Sequence, residues 1–238
     1  MRYICKKHAE WYKLGQHTKI PEGDVHILAV PTACDFLSKT LISRIRSDFP
    51  ALHISLHECY QNVIMQQLMG SKINIGITSV STFDLKNVLL HVERQGWYAD
   101  VLHEEERELF LSTKNSFTEK ESLEVADLQK LTYACYSRSN DKITNQYKGY
   151  FNPDYCYYLN NQNNILQLVA EDKAVTIYPP KILGDHILLK SGLVVSKPIR
   201  GVATHATYLL LHPSDDILSF VEREVIKLIQ TEFLQITA

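Results

Sequence analysis

The sequence predicts an α/β protein built on a parallel sheet, and three observations carry that reading. Between residues 23 and 77, short apolar runs alternate with segments of helical period. The helical segments are punctuated where helices start and stop, by Pro31, Pro50 and Gly70. They are also long enough to act as crossovers, and a strand–helix–strand unit of this kind joins parallel strands with right-handed connections.

The first strand is the run Val25, Ile27, Ala29 and Val30, which feeds directly into Pro31-Thr32-Ala33-Cys34. A proline and a hydroxyl at that point mark a helix N-terminus. Leu37, Leu41, Ile45 and Phe49 then recur every four residues and give that helix one apolar face, until Pro50 stops it. Residues 53–58 form a second strand and 62–69 a second helix, with Val63, Ile64 and Leu68 inward. Residues 73–77 form a third strand, and Gly70-Ser71 closes the helix before it. Such sheets bind ligands at the carboxyl ends of their strands. The loops at 32–35 and 59–62 are therefore the first candidates, each preceding a helix whose free N–H groups favour an anion. No glycine-rich phosphate signature occurs in the chain, so the preference is for anions and not nucleotides.

Further along, the polar residues 78–82 leave the third strand, and 89–92 and 97–102 read as strands around Arg94-Gln95-Gly96. Residues 103–107, with three glutamates, read as a solvated hinge, because consecutive carboxylates cannot all turn to one metal ion. A second α/β unit follows. It has strands at 109–111, 131–136 and 155–159, helices at 122–128 and 141–150, and a polar loop Ser137-Arg138-Ser139-Asn140. Five amides at 160–164 cap a helix at 165–171, a strand at 175–178 ends at Pro179-Pro180, and strands at 193–196 and 207–211 precede a terminal helix at 217–233.

Composition excludes several classes of function. The chain is 238 residues long, 45% hydrophobic and 22% charged, as in an ordinary globular protein with a substantial core. A net charge of −2 provides no basic face for nucleic acid. No apolar run is long enough to span a bilayer, and MRYICKKHAEWYK lacks the apolar core of a signal peptide, so no membrane partner and a cytoplasmic location are expected. Five cysteines without a CxxC pair argue against a disulfide framework or zinc ribbon. No metal or cofactor is expected. No nucleophile–base order stands out, and His53 and His57 share a strand face without a third ligand, so an enzyme is not expected either.

A resemblance adds to this reading. The order strand, Pro-Thr, helix ending Phe-Pro, strand ending in Glu, polar loop, helix, then Gly-Ser-Lys-Ile-Asn-Ile-Gly-Ile resembles the effector-binding domain of LysR-type transcriptional regulators. Asn74 stands where that family usually has Asp. VLHEEERELFLSTKNSFTEKESLEVADLQ (101–129) resembles the family's strand, turn and Asp-Leu helix. ILQLVAEDKAVTIYP (165–179) resembles its Leu-Val-Ala-Ala-Gly stretch, with Asp172 and Ala174 where glycine is commoner. The resemblance runs from about residue 23 to residue 233. It implies two Rossmann-like α/β subdomains joined by two crossover segments, type II periplasmic-binding-protein-like. Residues 23–104 and 184–238 would form subdomain I, 105–183 subdomain II, and 1–22 the remnant of a linker helix or an N-terminal extension.

The resemblance also implies a function. A small, anionic effector bearing a carboxylate, phosphate or sulfate would bind between the subdomains and change the arrangement of a homodimer or higher homo-oligomer. Dimer contacts would run through the first helix near Ser38, Ser43 and Arg46. DNA would be contacted only through a winged helix-turn-helix, which these residues do not contain. The expected effector-binding residues are Thr32, Ala33, Gln61 and Thr78 from the first half, with Tyr136, Ser137, Arg138 and Asn161 from the second. Arg138 is the only cation among them. Two alternatives stand beside this reading: a free-standing solute-binding protein, and a thiol redox sensor using Cys34 and Cys59, since a helix N-terminus lowers a thiol pKa. Cys135 and Cys156 are expected in the core.

Overall fold

Gly23 opens a strand, β1 (Gly23–Ala29), that pairs in parallel with β2 (Leu52–Glu58), from Gly23 opposite Leu52 to Ala29 opposite Glu58. The computed structural model describes residues 22–136 and 147–236. On its other side β1 pairs in parallel with β3 (Ile75–Ser81). The connections are α1 (Pro31–Asp48) and α2 (Gln61–Gly70), so the predicted strand–helix alternation is present. α1 buries Phe36, Leu37, Leu41 and Ile45 and carries Pro31 at its first turn. α2 lies so close to β3 that a Cβ on Gly76 would come within 2.5 Å of Leu68 Cδ1, and a larger residue there would have to push that side chain aside.

The sheet is completed by β12 (His205–His212) and β4 (Tyr98–Glu106), in the order β2-β1-β3-β12-β4. β12 runs antiparallel to both neighbours, so the sheet is mixed and not wholly parallel. Residues 89–92, expected as a strand, lie instead in α3 (Thr82–Arg94). Leu85, Val88 and Val92 turn to the core at helical spacing, and the clustered Val88-Leu89-Leu90 imitates a strand only locally. Residues 103–106 belong to β4, which runs without a break from Tyr98.

The second group of strands is smaller. β5 (Glu108–Ser112) lies between β10 (Val194–Lys197) and β9 (Thr176–Tyr178). β6 (Leu123–Glu124) pairs with β11 (Ile199–Arg200), and β7 (Tyr133–Tyr136) with β8 (Cys156–Leu159). Thus the strand expected at 193–196 does not return to the first sheet: it pairs with β5, and the chain rejoins the first sheet only at β12. The helix α5 (Gln162–Ala170) packs on this group with the short α6 (Ile187–Lys190) against it, and the short α4 (Val125–Leu128) lies against β6. Asp172 takes the left-handed conformation (φ 57°) after α5, as its family counterpart glycine would, and accepts a 2.7 Å hydrogen bond from Asn115 Nδ2.

The terminal helix α7 (Phe220–Ile236) begins one turn later than expected, leaving Ile217 exposed. Ser219 and Glu222 cap its start reciprocally, each backbone N–H donating to the other's side chain. Val225, Ile229 and Phe233 seat it on the first sheet, and Phe233 meets Phe36 of α1 edge to face at 4.9 Å. Most of the helix expected at 141–150 lies outside the described residues. No described helix is long and apolar enough to cross a membrane.

Candidate functional site

A cleft opens where the carboxyl ends of β1 and β3 face β7 and β9, with an empty volume of about 620 Å³ including its mouth. Its polar floor is a buried hydrogen-bond network. Thr32 Oγ1, in the first turn of α1, lies 2.7 Å from Tyr208 OH on β12. Thr32 therefore turns inward and does not cap: α1 has Val30 at its N-cap and no side-chain capping bond. Beside Tyr208, Ser79 Oγ accepts a 2.9 Å bond from Arg107 Nη2, and Arg107 Nη1 donates to Tyr147 OH at 3.3 Å. Tyr147 OH in turn donates to the carbonyl of Ala203.

Arg107 is the cation of the cleft and is only 3% exposed. Its residue type and place follow from strand alternation: His103, Glu105 and Arg107 point inward, and Glu104 and Glu106 outward. The expectation of a solvated hinge at 103–107 is thus corrected, since every second residue is buried. Four glutamates flank Arg107, yet each is engaged elsewhere. Glu104 accepts from Thr207 Oγ1, Glu106 binds Thr204 Oγ1 and His205, and Glu108 accepts from Ser196 Oγ. The Glu105 carboxylate accepts from the backbone N–H groups of Lys181 (2.8 Å) and Ile182 (3.2 Å), where the chain leaves β9. Among the described residues no carboxylate pairs with Arg107, and two of its five N–H donors are used. A buried charge facing only hydroxyls keeps most of its desolvation cost, which an anion in the cleft would offset.

The other expected residues divide. Gln61, at the first turn of α2, and Tyr136, at the end of β7, line the cleft with Thr32. Ala33 is buried behind the lining. Thr78 alternates with Ser79 onto the opposite sheet face, where its Oγ1 is buried without a hydrogen-bond partner among the described residues. Asn161 caps α5, accepting from the Asn164 N–H, and does not line the cleft. Ser137 and Arg138 lie outside the described residues. Sequence reasoning missed Arg107, Ser79 and Tyr208; the alternation across 103–107 was the available signal for the first. Burial pushes the Tyr208 and Tyr136 hydroxyls upward, so both are protonated hydrogen-bonding groups.

The thiols behave differently from expectation. Burial, aided by the charge of Glu58, pushes Cys34 up to about 12, and the same two causes raise Cys59. The helix N-terminus is outweighed by desolvation and acidic neighbours. Cys34 Sγ donates to the Ala29 carbonyl and Cys59 Sγ to Gln67 Oε1, each at 3.5 Å. Cys135 is buried in β7 as expected, whereas Cys156 on β8 is half-buried and packs against the edge of the core. His103 is buried 3.3 Å from Glu105 Oε1, but neither ring nitrogen makes a hydrogen bond among the described residues.

The cleft thus lies between the first sheet and the smaller group of strands, beside the point where the chain passes from one to the other. The family model for the LysR substrate binding domain matches residues 19–234. The chain belongs to that family, as its sequence motifs implied, and a LysR regulatory domain binds an effector and is not an enzyme. Its fold is type II periplasmic-binding-protein-like. Among solved structures, the reduced OxyR regulatory domain of Pseudomonas aeruginosa is 13% identical with a TM-score of 0.68, over 90% of this chain and 96% of that one. A sulfate-bound mutant of the OxyR2 regulatory domain from Vibrio vulnificus is 17% identical with a TM-score of 0.66, over 92% and 99%. A further reduced form of OxyR is 19% identical with a TM-score of 0.65, over 89% and 96%. At these identities the likeness is one of fold. No curated protein matches the chain.

Proposed function

We propose that this domain senses a small anion, and that Arg107 holds the anion's charge in the cleft. The observation that carries the reading is a cation 3% exposed whose side-chain partners among the described residues are the neutral hydroxyls of Ser79 and Tyr147. A carboxylate, phosphate or sulfate fits the unused guanidinium donors, at about 1.5–3 kcal/mol per charged hydrogen bond. Thr32 and Ser79 offer hydroxyls beside it, and Gln61 an amide at the rim. The sulfate in the Vibrio vulnificus neighbour is consistent with a fold that accepts such anions.

Arg107 follows the last residue of β4 and joins Ser79 on the first sheet to Tyr147, so it touches both halves at the crossing. The two halves act as subdomains I and II, and an anion held there favours one closure angle by population shift. In an intact, cytoplasmic regulator that angle would set how the copies of a homodimer, or a larger oligomer, present their DNA-reading heads. The test is a thermal-shift screen with sulfate, phosphate and small carboxylates on wild type and Arg107→Met, because a ligand that binds only the folded state raises its melting temperature. The expected result is a shift in wild type that disappears in the variant. An equal shift in both would overturn the assignment.

A further inference from the structure

The walls of the cleft carry information about the rest of the effector, an inference that rests on the anion reading above. Tyr60, at the N-cap of α2, Tyr136 of β7 and Tyr178 of β9 line the cavity together. Successive rings meet edge to face: Tyr60 and Tyr136 at 5.6 Å and 71°, Tyr136 and Tyr178 at 6.3 Å and 65°. Their hydroxyls are committed to protein groups. Tyr60 OH donates across the cleft to the Asn160 carbonyl at 3.3 Å, and Tyr136 OH to Gln162 Oε1 at 3.4 Å. Tyr178 hydrogen-bonds with Tyr136.

With the oxygens held elsewhere, these rings offer a ligand carbon surface and quadrupolar edges. Inorganic sulfate or phosphate would use none of this wall. A flexible aliphatic acid would use its area and forgo the edge-to-face contacts, which favour another flat ring. The enclosed part of the cleft is small, about 70 Å³, so it admits at most one ring with a short acidic arm, part of it in the open mouth. We propose that the effector is a one-ring aryl carboxylate, its carboxylate on Arg107 and its ring against the wall formed by Tyr60, Tyr136 and Tyr178.

The experiment is isothermal titration of the chain with benzoate and phenylacetate, their saturated counterparts cyclohexanecarboxylate and cyclohexylacetate, and sulfate. At least one aryl acid should bind about 2- to 12-fold more tightly than its saturated counterpart, the range one aromatic contact supplies. Tyr60→Leu and Tyr136→Leu should each erase that ratio while sulfate binding persists. Tyr60 is half-buried, so its variant keeps the test alive if Tyr136→Leu does not fold, as circular dichroism would show. Equal affinity for aryl and saturated acids would overturn this inference and leave the anion reading standing. Binding of none of the five, in folded wild type, would overturn both.

Discussion

Two sites on the first sheet place a reactive group under cover, and they do so to opposite effect. Around Arg107 a permanent cation is buried against hydroxyls with no compensating carboxylate among the described residues. Around Cys34 and Cys59 two thiols are covered beside Glu58, which makes their charged forms harder to reach. Burial alone does not make a sensor. It sensitises a group that cannot discharge, because arginine stays protonated, and it silences one that can simply keep its proton. The difference favours anion sensing over thiol sensing on this scaffold.

The largest expected effect sharpens the first half of that comparison. Arg107→Met removes a buried charge that has no carboxylate partner among the described residues, so it should avoid the loss of about 3–5 kcal/mol that breaking a buried ion pair brings. It should abolish the anion response in the same stroke. Denaturant unfolding checks the first part, and a variant destabilised by that much would mean that Arg107 is already compensated. Glu105→Ala comes next. It strips two charge-assisted bonds from the Lys181 and Ile182 N–H groups and should cost about 2–4 kcal/mol in unfolding free energy.

On the thiol side, the folded chain holds the Cys34 proton up to about pH 12, whereas an unfolded thiol releases it near 8.5. The unfolded state then binds fewer protons, so stability falls as pH rises across that window. Wild type should lose about 2 kcal/mol more than Cys34→Ala between pH 8 and pH 10. Parallel losses in the two proteins would show that the thiol is not raised. Tyr208→Phe should cost about 1–2 kcal/mol, by leaving Thr32 Oγ1 buried without its partner. The smallest effect is expected from Cys59→Ser, within about 0.5 kcal/mol of wild type. An altered response of that variant to peroxide would reopen the redox reading.

The sequence made some of this legible and hid the rest for identifiable reasons. Thr32 and Gln61 could be placed because proline and turn signals mark the ends of strands that must open toward one edge of a parallel sheet. Tyr136 followed from the same logic in the second unit. Arg107 was lost in the run HEEERE, where charge density suggested solvent while the period of two pointed to a half-buried strand. Tyr208 sits in an apolar strand, and only tertiary packing brings its hydroxyl to Thr32. Strand 89–92 was misread because three adjacent apolar residues in α3 satisfy either period over so short a window. The return of the chain at β12 and not at 193–196 depends on strand partners, which no local pattern specifies.

The most direct test of the central claim reads Arg107 itself. Its side-chain Nε–H resonance, assigned by its loss in Arg107→Met, can be followed by NMR while the anion with the largest thermal shift is titrated in. A saturable shift of that resonance, with the same midpoint as the thermal stabilisation, is the predicted result. An anion that stabilises the protein while the Arg107 resonance stays still would contradict the account.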